Sequence, residues 1–188
     1  MTKRIFPVLF TLLFVFSCQT EQPQNPFEIT KNRIGPLTNK IKVSQLDSVF
    51  ARDSIVKTAA NDTYLSNTNQ IEIFEKGGGK LLILEPNDKN NSTSTIENIQ
   101  VIDPRYKTTS GLSSNSLFKD IKYHYKISKI NNTLSTAVIF VDSIQAYFTI
   151  DKKELSKDFQ FTTDKEIKIE DIPDSAKIKN FWINWGFN

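Results

Sequence analysis

Apolar runs of strand length constrain this chain more than any other feature. Ile71-Glu72-Ile73-Phe74 and Leu81-Leu82-Ile83-Leu84 flank Glu75-Lys76-Gly77-Gly78-Gly79-Lys80, while Leu134 to Val141 and Ala146 to Ile150 flank Asp142-Ser143-Ile144-Gln145. Runs this short, rich in β-branched and aromatic residues and broken by turn residues, predict two hairpins. The glycines of the first connection allow positive backbone angles at low cost. Ile99 to Ile102 predicts a further strand ending at Asp103-Pro104, after a polar loop over Glu85 to Asn98. Phe27 and Ile29 alternate with Glu28 and Thr30, which predicts a short strand before a turn at Gly35-Pro36. At the far end Phe181, Ile183, Trp185 and Phe187 alternate with Trp182, Asn184 and Gly186, the pattern of a terminal strand closing the sheet.

Helical spacing occurs twice. Val43, Leu46, Val49 and Phe50 predict a short amphipathic helix over residues 43 to 51, and Leu117, Phe118, Ile121 and Tyr125 predict another, with Ser114 or Ser116 as candidate caps. The expected class is α+β: a mostly antiparallel sheet with two short helices. Each helix follows a strand and a glycine-bearing turn and precedes an isoleucine, Ile55 or Ile127, so the two stretches read as loosely related halves about 70 residues apart.

The amino terminus has a different character. Lys3-Arg4 precede an apolar run from Ile5 to Phe16. That order suits an export signal, and about 20 residues would be needed to span a bilayer. Val15-Phe16-Ser17-Cys18 resembles a lipobox, in which signal peptidase cuts before a lipid-modified cysteine. The resemblance implies a signal peptide over residues 1–17, lipidation at Cys18 and attachment to a membrane. A polar tether over 18–26 and one globular domain over 27–188 complete the expected organisation. Two or three acyl chains, at about 0.8 kcal/mol per buried methylene, would hold the protein there.

Removal of the first 17 residues leaves 171, with 22 basic and 21 acidic side chains and no further cysteine. Internal disulfides are excluded, so stability must come from a packed core. Near-neutral charge without a basic stripe argues against a nucleic-acid partner.

Catalytic chemistry is sparse. His124 is the one histidine, which excludes histidine metal clusters and leaves a triad of Ser113, Ser114 or Ser116 with His124 and Asp120 as a formal option. Those serines lack the Gly-x-Ser-x-Gly context of an exposed nucleophile. Gly77-Gly78-Gly79-Lys80 lacks the Ser or Thr of a phosphate-binding loop and opens a strand, not a helix. No cofactor, metal site or catalytic residue is assigned. Trp182 and Trp185, in the aromatic tail, are the candidate partner-binding residues, with Ile183 and Trp185 also candidates for the core.

Lipobox, polar tether and an Asn/Lys/Ile-rich small domain together resemble uncharacterised lipoproteins of flavobacteria and other Bacteroidota. Ile102 to Thr108, Gly111 and Phe118-Lys119-Asp120-Ile121 are similar to a strand-turn-helix unit of small envelope lipoproteins. Asp47-Ser48-Val49, Asp53-Ser54-Ile55, Asp142-Ser143-Ile144 and Asp174-Ser175-Ala176 resemble that phylum's O-glycosylation sequon, which implies Ser54, Ser143 and Ser175 as modification sites. Acidic residues after the lipidated cysteine accompany surface export there. Glu21 alone is present, so the resemblance implies an outer-membrane protein facing the periplasm. The expected role is a non-enzymatic binding or envelope-structure module with an envelope protein or glycan as partner. A cell-envelope hydrolase and an inhibitor or immunity-type partner of another exported protein are the alternatives.

Overall fold

A computed structural model describes residues 25–57, 70–88 and 90–186. Cys18, most of the tether, and Phe187 lie outside them. Among the described residues twelve strands form two sheets. The first contains β1 (Glu28–Thr30), β2 (Arg33–Ile34), β3 (Leu37–Thr38) and β8 (Lys107–Thr108), in the order β3-β2-β1-β8. The second contains β4 (Ser54–Lys57), β5 (Ile71–Phe74), β6 (Lys80–Pro86), β7 (Ile96–Val101), β9 (Lys129–Asn132), β10 (Thr136–Val141), β11 (Ala146–Asp151) and β12 (Ile178–Asn184). Three helices of one or two turns, α1 (Leu46–Val49), α2 (Phe118–His124) and α3 (Lys157–Gln160), complete the α+β fold. Pairing is antiparallel except between β1 and β8.

The large sheet has the order β4-β5-β6-β7-β12-β11-β10-β9. That order is a palindrome of roles. One helix and the four-stranded meander after it, α1 with β4 to β7, meet a second such unit, α2 with β9 to β12, through the last strand of each. Ile99 lies opposite Ile183 and Val101 opposite Phe181 across the junction. The terminal strand therefore does not close the sheet, as its position in the chain suggests, but sits at its centre. An edge position would leave Phe181 and Ile183 covered on one flank only, whereas between β7 and β11 both are fully buried.

Alternation decides which face is filled. Ile73, Leu82, Leu84, Ile99, Ala137, Ile139, Phe148, Ile150, Phe181 and Ile183 point inward and are inaccessible to solvent. Phe148 and Phe181 pack with ring centroids 4.6 Å apart. Ile29, Ile34 and Leu37 of the small sheet, Leu46 of α1 and Phe118 and Ile121 of α2 belong to the same apolar cluster, so these elements cover the inner face. Trp185 continues the inward series beyond β12. It is 8% exposed, and its indole Nε1 donates to the Lys31 carbonyl in the β1–β2 turn at 3.2 Å.

Several local features differ from expectation. Neither Ser114 nor Ser116 caps α2: Ser114 Oγ donates to the Ile102 carbonyl, and Ser116 Oγ accepts from the Ser113 amide. Asp120 reaches back to accept from the Leu117 amide at 2.8 Å instead, the side-chain half of a capping box. The polar loop after β6 is shorter than its composition implies, because Glu85, Pro86, Glu97 and Asn98 extend the strands. Strand β9 and helix α3 have no apolar signal of their own. Lys152, 2% exposed, ties their neighbourhoods together by donating to the Thr133 and Thr162 carbonyls at 2.8 and 2.6 Å. Those bonds offset the cost of removing an ammonium group from water.

Two of the three described glycines with positive φ, Gly35 and Gly111, serve different purposes. Gly35, φ +53°, has the Pro26 carbonyl oxygen 2.3 Å from where a Cβ would stand. Gly111, φ +84°, has open space there. Gly111→Ala should cost only backbone strain, about 1–2 kcal/mol, and Gly35→Ala clearly more; equal losses in urea unfolding would contradict this. Phe148→Ala should cost about 3–5 kcal/mol in the same assay.

Candidate functional site

The outward face of the large sheet carries a row of side chains in register. Phe140 lies opposite Tyr147, Tyr147 opposite Trp182, Trp182 opposite Gln100, and Gln100 opposite Ile83. Because side chains alternate, these residues project away from the core. All are half-buried, packed against one another. The Tyr147 and Trp182 rings are parallel within 3°, with centroids 5.8 Å apart, and the Phe140 ring is also 5.8 Å from Tyr147, tilted by 31°. Aromatic cross-strand pairs stabilise a sheet by roughly 0.2–1 kcal/mol each.

Amides flank the ladder. Gln100 Nε2 donates to Asn180 Oδ1 at 2.9 Å, and Asn180 Nδ2 donates to Thr149 Oγ1 at 3.0 Å. On the other side Asn184 donates to Asn98 across the β7–β12 junction, and Gln70 Nε2 donates to Glu85 Oε1 at 2.9 Å. Burial pushes the Tyr147 phenol up to about 12, with the Glu85 charge adding to it. Tyr147 is thus a neutral hydroxyl at physiological pH. Two charge pairs stand on this face: Glu72 with Lys80 at 2.6 Å and Asp151 with Lys179 at 3.1 Å.

The residues singled out from sequence separate accordingly. Trp182 stands on the outward face, whereas Trp185 packs in the core at 8% exposure. Ser113, Ser114 and Ser116 are engaged in the turn before α2, and His124, at the end of α2, packs edge-on against exposed Tyr123 at 4.8 Å. Among the described residues no hydrogen bond links those serines to His124, and no group of three His, Cys, Asp or Glu side chains could hold a metal ion. Ser54, Ser143 and Ser175 are all exposed, Ser54 on edge strand β4, Ser143 in a one-turn 3-10 helix between β10 and β11, and Ser175 in a turn.

A second polar cluster is structural. Arg105 binds Glu75 with two hydrogen bonds of 2.9 and 3.0 Å, binds Asp103 through Nε and Nη2, and lies 4.6 Å over the Phe27 ring. Its hydrogen bonds hold the Asp103 carboxyl below its ordinary range. All three guanidinium nitrogens donate, tying the β5–β6 hairpin to the turn before β8, and the stacking on Phe27 adds the start of β1.

Sequence reading found Trp182 but missed Phe140 and Tyr147 as its partners. Their strands were legible, but the register joining β10, β11 and the distant β12 was not.

No family model and no curated protein matches this chain. Among solved structures, the uncharacterized protein yfeY from Escherichia coli is similar in fold, with a TM-score of 0.51 and 13% identity, over 84% of this chain and 99% of that one. At that identity the likeness concerns the fold alone.

Proposed function

We propose that this protein is a membrane-anchored bacterial lipoprotein acting as a non-enzymatic binding or envelope-structure module, held in the outer membrane by lipid on Cys18 and facing the periplasm. The observation that supports a binding role is the aromatic ladder on the sheet face opposite the small sheet. The polypeptide enters at Asn25, directly before β1, and β1 belongs to the layer that covers the inner face. A lipid on Cys18 would lie within about 25 Å of Asn25 even at full extension of the intervening residues. On this reading the tether joins the layer that covers the inner face, while Phe140, Tyr147 and Trp182 lie on the opposite face of the large sheet. No described helix is long and apolar enough to cross a membrane, so on this reading the lipid does the holding.

Cys18→Ala should abolish labelling by a palmitate analogue and move the protein from the membrane fraction to the soluble one. Continued labelling with retained membrane association would refute the anchor. Protease added to intact cells should leave the wild-type protein undigested until the outer membrane is permeabilised. Digestion in intact cells would place it on the cell surface instead.

A further inference from the structure

We propose that the Phe140–Tyr147–Trp182 ladder and its flanking amides form a binding site for a neutral, hydroxyl-rich glycan chain. This rests on reading the outward face as the binding surface, and three observations lead from that face to its ligand.

The first is ring geometry. A sugar ring presents an apolar C–H face with a rim of hydroxyls, and the C–H face pairs with the negative face of an aromatic ring. The parallel rings of Tyr147 and Trp182 have centroids 5.8 Å apart. Direct face-to-face carbon contact occurs at about 3.5–4.0 Å, so the two ring faces are not in full contact with each other. A row of such rings suits a chain of repeating rings better than a single small molecule.

The second is hydrogen-bonding capacity beside the rings. Gln100 and Asn180 hold each other and Thr149 in fixed orientations. A carboxamide offers two donor hydrogens and two acceptor positions, more than this chain of bonds uses. Ligand hydroxyls, which both donate and accept, match that inventory. The Tyr147 hydroxyl, neutral at physiological pH like any ordinary phenol, adds a donor on the middle ring of the ladder.

The third is charge. Aromatic ladders on sheets also bind single-stranded nucleic acid, but such sites pair the rings with a basic groove that tracks phosphates. Here Lys80 and Lys179 are each matched by a carboxylate, and Glu85 lies close enough to act on Tyr147. On the ladder's own row the one cation is Lys129, opposite Phe140 at the sheet edge. A face of paired charges and amides, with one further carboxylate, Glu85, and one further cation, Lys129, at its edge, lacks the basic groove of a polyanion site and suits an uncharged partner better.

The test is a fluorescence titration of the full-length chain in detergent with cellohexaose, chitohexaose and maltohexaose, beside a single-stranded oligothymidylate. At least one neutral hexasaccharide should shift Trp emission saturably. By calorimetry, which needs no Trp reporter, Trp182→Phe and Asn180→Ala should each weaken that binding several-fold and Tyr147→Ala at least tenfold, whereas Phe161→Ala, at a side chain 92% exposed and outside the ladder, should leave it unchanged. Thermal melts of each variant separate lost binding from lost folding. The proposal is overturned if none of the three sugars binds at millimolar concentration, if the ladder variants bind as well as wild type, or if the oligonucleotide binds more tightly than the sugars. A photo-crosslinking residue at position 182 distinguishes the remaining failures in cells. A protein adduct without sugar binding overturns the glycan but keeps the binding face; no adduct and no sugar binding overturns both.

Discussion

Antiparallel pairing of β7 with β12 is the contact on which the rest of the molecule depends. Each half is a helix and a four-stranded meander with one apolar face, and neither meander closes on itself. Joining the two last strands makes one eight-stranded sheet whose central residues, Ile99, Val101, Phe181 and Ile183, are fully buried or nearly so. Full burial of a side chain of this size contributes about 1.5–3 kcal/mol. The junction also positions the outward face, because Trp182 meets Tyr147 on one side and Gln100 on the other only when β12 lies between β11 and β7. One pairing thus supports both the core and the candidate site.

Local signals in the sequence carried much of this fold. The β5–β6 and β10–β11 hairpins are visible as apolar runs around turn residues, and both helices near positions 46 and 118 follow from 3.6-residue spacing. The relation between the halves was visible only as a common order of elements. Its meaning lies in the palindromic strand order, which no local pattern encodes. The position of β12 shows why. Alternation identifies Phe181, Ile183 and Trp185 as one face, but burial on both flanks is a property of neighbours 33 and 37 residues away in β11 and 80 and 84 residues away in β7. β9 and α3 escaped because Lys129-Ile130-Asn131-Asn132 and Lys157-Asp158-Phe159-Gln160 each hold one apolar residue, too few to set a period.

The candidate site was legible to a similar depth. The aromatic tail drew attention to Trp182, and period-2 spacing separated it from Ile183 and Trp185. Phe140 and Tyr147 lie in strands whose composition is dominated by core residues, and nothing local marks them as facing outward together. Similar limits apply to Arg105, whose partners Glu75 and Asp103 come from a hairpin and a turn that are separate in sequence. Side-chain chemistry was readable where its geometry is set within a strand, and hidden where it is set by registers between strands.

Native-state hydrogen exchange tests the central claim most directly. If the two meanders form one sheet through β7 and β12, the hydrogen-bonded amides of those strands should be among the slowest to exchange and should open only with global unfolding, together with those of β6 and β11. Exchange of the β7 and β12 amides through a lower-energy opening, while β5–β6 and β10–β11 stay protected, would show two independent units and contradict the account.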